Sequence, residues 1–374
     1  MKFITLKENL KQGLSIVAHL TSKNINLPIL NNILIKAKKE GIELIATNLE
    51  ISVNHFLRGK IELEGETTVD SKIINEYISL LPEDKIEVEL EKDELKISCQ
   101  NYKTKIKTQE ASDFPTLPNI INDNCYKLNL NDFRDSLSEV SFAVSYNENR
   151  PELSGVLFSF QDNLLTLVGT DSYRLSEKKI NYKNDNTVEE KKVIIPLKTI
   201  QELSRILNNF KSEEQIDDSQ DIKISLTENQ IFFSFGSTNL VSRIIIGNYP
   251  DYKQIIPKNE KVKIEINRSS FVKAIKAAGI FSKTGINDIS IAFKKNEVTI
   301  SSSSSQAGEN KVSLEADVLG EEDEVFVNFK YLLDGLNNIK SEQVIIKIID
   351  NNYPCIILPK NIDNFLYLVM PIKQ

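Results

Sequence analysis

The sequence predicts an α+β fold built from three copies of one domain, each an antiparallel sheet system with two helices on one side. Three observations lead there. A hairpin pattern recurs three times, two amphipathic helix patterns accompany each hairpin, and Pro-containing junctions separate the copies. At 374 residues the chain is too long for one ordinary core, which fits the same division.

The hairpins carry the repeat. "NILIKAKKEGIELIATN" (32–48), "GVLFSFQDNLLTLVGTD" (155–171) and "DISIAFKKNEVTISSSS" (288–304) align without a gap. Ile33, Ile35, Ile42 and Leu44 fall on Val156, Phe158, Leu165 and Leu167, then on Ile289, Ile291, Val298 and Ile300. Alternate apolar residues interrupted by a short polar stretch describe two paired strands and their turn.

The helices follow from a different spacing. Ahead of the hairpins lie Leu10, Leu14 and Val17, then Phe133, Leu137 and Val140, then Phe271, Ile275 and Ala278. Steps of four and three put each trio on one helical face. Asn131 and Asn267 are expected N-caps. A second helix is expected within 69–81, 195–207 and 327–339, each followed by further strands such as "KIEVEL", "DIKISL" and "VIIKII". Junctions at "ASDFPTLPNI" and "GNYPDYKQIIPKN" then set domains at 1–119, 125–250 and 258–374.

Composition narrows the function. Hydrophobic residues make up 40% and charged residues 26% of the chain, the balance of a soluble globular protein. No apolar run approaches the roughly 18 residues of a membrane helix, and "MKFITLKENLKQG" lacks the apolar stretch of a signal peptide. Cys99, Cys125 and Cys355 are scattered, which suits a reducing cytoplasm and offers no zinc site. Neither a phosphate loop nor a dinucleotide fingerprint is present, so no cofactor or metal is expected. His19 and His55 are the only histidines, which leaves an enzyme built on Asp171, Ser172 and Tyr173 without an evident base.

Charge is unevenly spread. The chain carries −7 overall, yet the six helical segments hold eleven basic residues against seven acidic ones. Lys72, Lys198 and Lys330 stand at the same place near the start of each second helix. A cation there opposes the helix dipole by about 0.3–1 kcal/mol, so its repetition suggests an anion in front of those helices. A scaffold of repeats with no nucleic-acid role is the alternative.

Taken together, "LPIL" (27–30), "NRPELSGV" (149–156), "GTDSYRL" (169–175), "YPDY" (249–252) and "VMPI" (369–372) resemble the bacterial sliding clamp family, the beta subunits of DNA polymerase III. The resemblance runs the length of the chain. It implies a head-to-tail homodimer closed as a ring around double-stranded DNA, with helices facing the duplex. It also implies partners in the polymerase alpha subunit, the clamp loader and other clamp-motif proteins, and no membrane. Weak attraction to phosphate without base contacts lets such a ring slide. By match of motif, a peptide-binding pocket should be walled by Leu153, Thr170, Ser172, Tyr173, Arg174, Leu175, Pro250, Gln254, Ile255, Asn328, Tyr331, Pro354, Val369, Met370, Pro371 and Ile372. DNA should meet Lys23, Asn24, Lys72, Asn147, Arg150, Lys198, Arg205, Lys273, Lys276 and Lys330. The dimer interface should join Thr104 and Ile106 to the partner's Ile280 and Phe281, with Lys103, Lys105 and Lys107 opposite acids such as Glu309 and Glu315. Two departures stand out: Asn24 replaces a basic residue of some clamps, and Pro151 and Glu152 replace a tyrosine pair after Arg150.

Overall fold

The computed structural model describes residues 1–21, 26–116, 125–145, 149–184, 190–209 and 221–373. All three expected hairpins form: Asn32–Lys38 with Gly41–Thr47, Gly155–Gln161 with Leu164–Thr170, and Asp288–Lys294 with Glu297–Ser304. Their registers are equivalent, with Ile35 opposite Leu44, Phe158 opposite Leu167 and Ile291 opposite Ile300. Every one of these six side chains is buried, as strict alternation requires when one sheet face meets a core.

Six α-helices are described: α1 (Lys7–Val17), α2 (Ser71–Leu80), α3 (Leu130–Ser141), α4 (Leu197–Asn209), α5 (Arg268–Gly279) and α6 (Phe329–Asn338). Each expected apolar trio faces inward; Leu10, Phe133 and Phe271 are essentially without exposure. Asn267 caps α5 as expected, its Oδ1 accepting from the Ser270 N–H at 3.0 Å. Asn131 does not cap α3. That helix starts at Leu130, which puts Asn131 inside the first turn. Asp70 and Asn328 cap α2 and α6, accepting from the N–H groups of Ile73 and Lys330.

The chain divides into two compact units. The first holds Met1–Leu130, Lys183–Val188 and Arg205–Ile244. It contains one fourteen-stranded antiparallel sheet, in which Thr238–Arg243 pairs with Ile51–Leu57. The second unit holds Asn131–Tyr182, Glu189–Ser204 and Ile245–Gln374. Its nine-stranded sheet joins Arg174–Asn181 to Phe365–Val369, and a four-stranded sheet ends at Gly308–Glu315. The central repeat is therefore shared. Its last strands extend the first sheet and its hairpin extends the second, because backbone pairing passes from one repeat to the next without an edge between them. In the second unit α5 and α6 pack over a core that includes Phe271, Ile275, Leu332, Leu336 and Tyr367.

Candidate functional site

The polar stretch after the second hairpin builds the site. The Thr170 hydroxyl donates to the Arg174 carbonyl at 2.6 Å and accepts from the Ser172 N–H at 3.2 Å. The Asp171 carboxylate accepts from the N–H groups of Tyr173 and Arg174, both at 3.0 Å. Ser172 lies at φ 77°, the left-handed region that side chains avoid. Five residues thus close a tight turn that leaves Tyr173 63% exposed at its tip.

Arg174 links this turn to α6. Its Nε donates to Asp171 at 3.0 Å, and Nη1 donates to Asp334 on α6. The guanidinium also lies 4.6 Å from the centre of the Tyr331 ring and 5.8 Å from that of Phe142, within cation–π range of both. Tyr173 stacks on Tyr331 with centroids 6.5 Å apart. Burial pulls the guanidinium pKa down, but the hydrogen bond to Asp334, with Tyr367 and the Asp171 carboxylate nearby, outweighs it and holds it above its ordinary value.

The C-terminal strand completes the wall. Arg174 stands opposite Val369, and Val369 opposite Cys355, which brings Pro354 alongside. Beyond the strand, the Met370 N–H donates to the Tyr173 carbonyl at 2.8 Å and the Ile372 N–H to the Phe326 carbonyl at 2.7 Å. Met370, Pro371 and Ile372 remain half-buried. Tyr252 anchors the Pro250–Ile255 segment: its hydroxyl donates to Glu177 at 2.6 Å, and its ring packs with Leu175, Ile356 and Leu368. Ile255 is left 49% exposed. Leu153, Leu175, Pro354 and Val369 are buried.

Two expected wall residues make local hydrogen bonds. Asn328 commits its Oδ1 to capping α6, and Gln254 donates to Asp251 at 2.9 Å. Phe142, Asp171 and Asp334, as partners of Arg174, were not assigned to the pocket from sequence. Helical spacing held a signal for one of them: Asp334 follows Tyr331 by three and shares its face.

Among the expected DNA contacts, Lys72, Lys198 and Lys330 are each the second residue of their helix and are exposed. Lys72 lies 3.9 Å from Glu76. Lys273 and Lys276 are exposed on α5. Arg205 donates to the carbonyls of Ser15 (3.2 Å) and Ile16 (2.7 Å), satisfying the end of α1. Arg150 donates to Glu152 and to Ser172. Lys23, Asn24 and Asn147 lie outside the described residues.

The strand Tyr102–Gln109 pairs along its length with Glu94–Cys99, but on its other side only Thr108 and Gln109 meet Val69 and Thr68. Tyr102 to Lys107 therefore form an open edge among the described residues. Beside it a groove of about 600 Å³ is lined by Ile73, Tyr77, Thr104 and Ile106. Ile106 is only 6% exposed, so it offers a partner chiefly backbone. Lys105 and Lys107 pair with Glu94 and Asp93. Gly308–Glu315 is an edge strand too. Ile280, at the end of α5, is 74% exposed, and Phe281 is half-buried.

These features describe a protein of three repeats, each combining two helices with antiparallel sheet. Residues 1–118, 127–251 and 253–373 match, in turn, the N-terminal, central and C-terminal domains of the DNA polymerase III beta subunit. The beta sliding clamp of Staphylococcus epidermidis is 30% identical over 363 residues, 94% of each chain. The DNA polymerase sliding clamp of Bacillus subtilis superimposes with a TM-score of 0.93 at 26% identity, covering 100% of this chain and 99% of that one. The DNA polymerase III beta subunit of Thermotoga maritima gives 0.90 at 26%, covering 100% and 99%. The chain belongs to the DNA polymerase III beta subunit family, the beta sliding clamps. It is a clamp subunit of DNA replication and not an enzyme. No helix among the described residues is long and apolar enough to cross a membrane.

Proposed function

We propose that two copies of this chain close head to tail around duplex DNA in the cytoplasm. Replication partners are then held by a short peptide seated on Tyr173, Arg174, Tyr331, Ile255 and Met370–Ile372. The three repeats act as domains over 1–119, 125–250 and 258–374. One observation carries the pocket: the 170–174 turn, α6 and the C-terminal strand are tied by Arg174 and by the Met370 N–H, so residues distant in sequence present one partly exposed apolar and aromatic surface. Closure uses the open edge at Tyr102–Lys107 and the edge Gly308–Glu315 of the partner, with Ile280 entering the groove beside Ile73 and Tyr77. Lys72, Lys198, Lys330, Lys273 and Lys276 supply non-specific attraction to phosphate.

Removal of residues 370–374 tests the pocket. The expected result is loss of binding to the cognate DNA polymerase III alpha subunit, with the dimer retained by light scattering. Unchanged affinity overturns the assignment. Encirclement predicts retention on nicked circular DNA after loading and release on linearisation; equal retention on both contradicts it.

A further inference from the structure

Arginine is a flexible side chain, and holding it still before a ligand arrives removes an entropy cost from binding. Arg174 is held on four sides. Asp171 takes an Nε donor and Asp334 an Nη1 donor, while the rings of Tyr331 and Phe142 lie near the guanidinium. The two carboxylates differ in setting. The Asp171 side chain is only 8% exposed and is fixed by its own turn. Asp334 is 48% exposed and stands on α6 beside Tyr331. A guanidinium has five donors, so capacity remains after both carboxylates are served.

Resting on the peptide-pocket reading above, we infer that Asp171 and Asp334 are positioning residues. They fix the Arg174 guanidinium against Tyr331, so that its remaining donors meet a partner peptide's oxygens without prior reorganisation. The first repeat shows that one half of this clamp can be removed cleanly. Asn48 occupies the place of Asp171 and accepts from the N–H groups of Glu50 (3.0 Å) and Ile51 (2.7 Å). An amide oxygen therefore supports this turn, and Asp171→Asn removes the ion pair alone. At Asp334, the Asn338 side-chain Nδ2 donates to the backbone carbonyl and not to the carboxylate, so Asp334→Asn leaves that bond intact.

The test measures affinity of the full-length dimer for the cognate DNA polymerase III alpha subunit by surface plasmon resonance. Asp334→Asn and Asp171→Asn are each expected to weaken binding on the order of tenfold, mainly through faster dissociation. Asp334→Glu should recover most of the loss. In an Arg174→Ala background neither Asn substitution should weaken binding further, because nothing remains to position. Wild-type affinity in Asp334→Asn, or an equal loss with and without Arg174, overturns the inference. If Arg174→Ala and removal of 370–374 both leave affinity unchanged, the pocket reading itself fails. If those two abolish binding while the Asn variants do not, only the positioning role fails.

Discussion

The turn at Thr47–Ile51 and the turn at Thr170–Arg174 are one backbone device used twice. Thr47 donates to the Ile51 carbonyl at 3.1 Å and accepts from the Leu49 N–H at 3.1 Å, as Thr170 does with Arg174 and Ser172. The third residue is left-handed in both, Leu49 at φ 74° and Ser172 at φ 77°. What differs is the fifth residue. Ile51 is 3% exposed and belongs to a core, whereas Arg174 holds Asp334 and the Tyr331 ring. The bonds of the Thr, Asp and Ser cluster are thus those of a turn, and the proposed peptide pocket draws on what Arg174 reaches. An enzymatic reading of Asp171 and Ser172 misassigns groups whose bonds are those of a strand-end turn.

The contrast is sharpest under truncation of that fifth residue. Ile51→Ala should lower stability by about 2–5 kcal/mol, as for other buried large-to-small changes, and leave alpha-subunit affinity unchanged. Arg174→Ala should do the reverse, weakening affinity on the order of a hundredfold with a small change in unfolding midpoint. Denaturant unfolding and surface plasmon resonance on both variants check this. Parallel effects would erase the distinction between the turns.

Four residues further along each strand the repeats diverge again. His55 is 7% exposed and its Nδ1 meets the Thr238 hydroxyl at 2.9 Å, while the matching Lys178 pairs with Glu139 at 2.7 Å. Burial lowers the His55 pKa to about 4 from an ordinary 6.5. The unfolded chain then binds the proton more readily. Stability from the neutral histidine is complete above pH 6.5 and lost as pH falls toward 4, by about 3 kcal/mol. Urea unfolding at pH 7.5 and 4.5 should show this loss in the native chain and a smaller one in His55→Gln. An identical pH dependence in the two would remove His55 from the account.

The smallest effect concerns the shared left-handed residue. Leu49→Gly and Ser172→Gly each relieve a disfavoured φ, offset by added freedom of the unfolded chain, for a net gain of about 0.5 kcal/mol. Unfolding midpoints should rise slightly and equally in both. A gain at one turn alone would mean that the two backbones are not equivalent.

Much of the architecture was legible in the sequence because it is local. Alternation fixed the hairpins through Ile35, Phe158 and Ile291, and the four-then-three spacing fixed the inward faces of α1, α3 and α5. These patterns follow from the periods of strand and helix, which any segment expresses by itself. The Asn131 cap missed by two residues, since α3 begins at Leu130, and helix ends are least determined by pattern.

Tertiary structure decided the rest. Nothing near Arg174 in sequence announces Asp334, since 160 residues separate them and only pairing of strand 174–181 with 365–369, and packing of α6, brings them together. The same holds for Arg205, whose guanidinium folding brings to the carbonyls that end α1, and for Asn328, whose Oδ1 caps α6. A residue's type states which bonds it can make. Which of them it does make depends on the acceptors that folding delivers, and those come from chain segments that no local period connects.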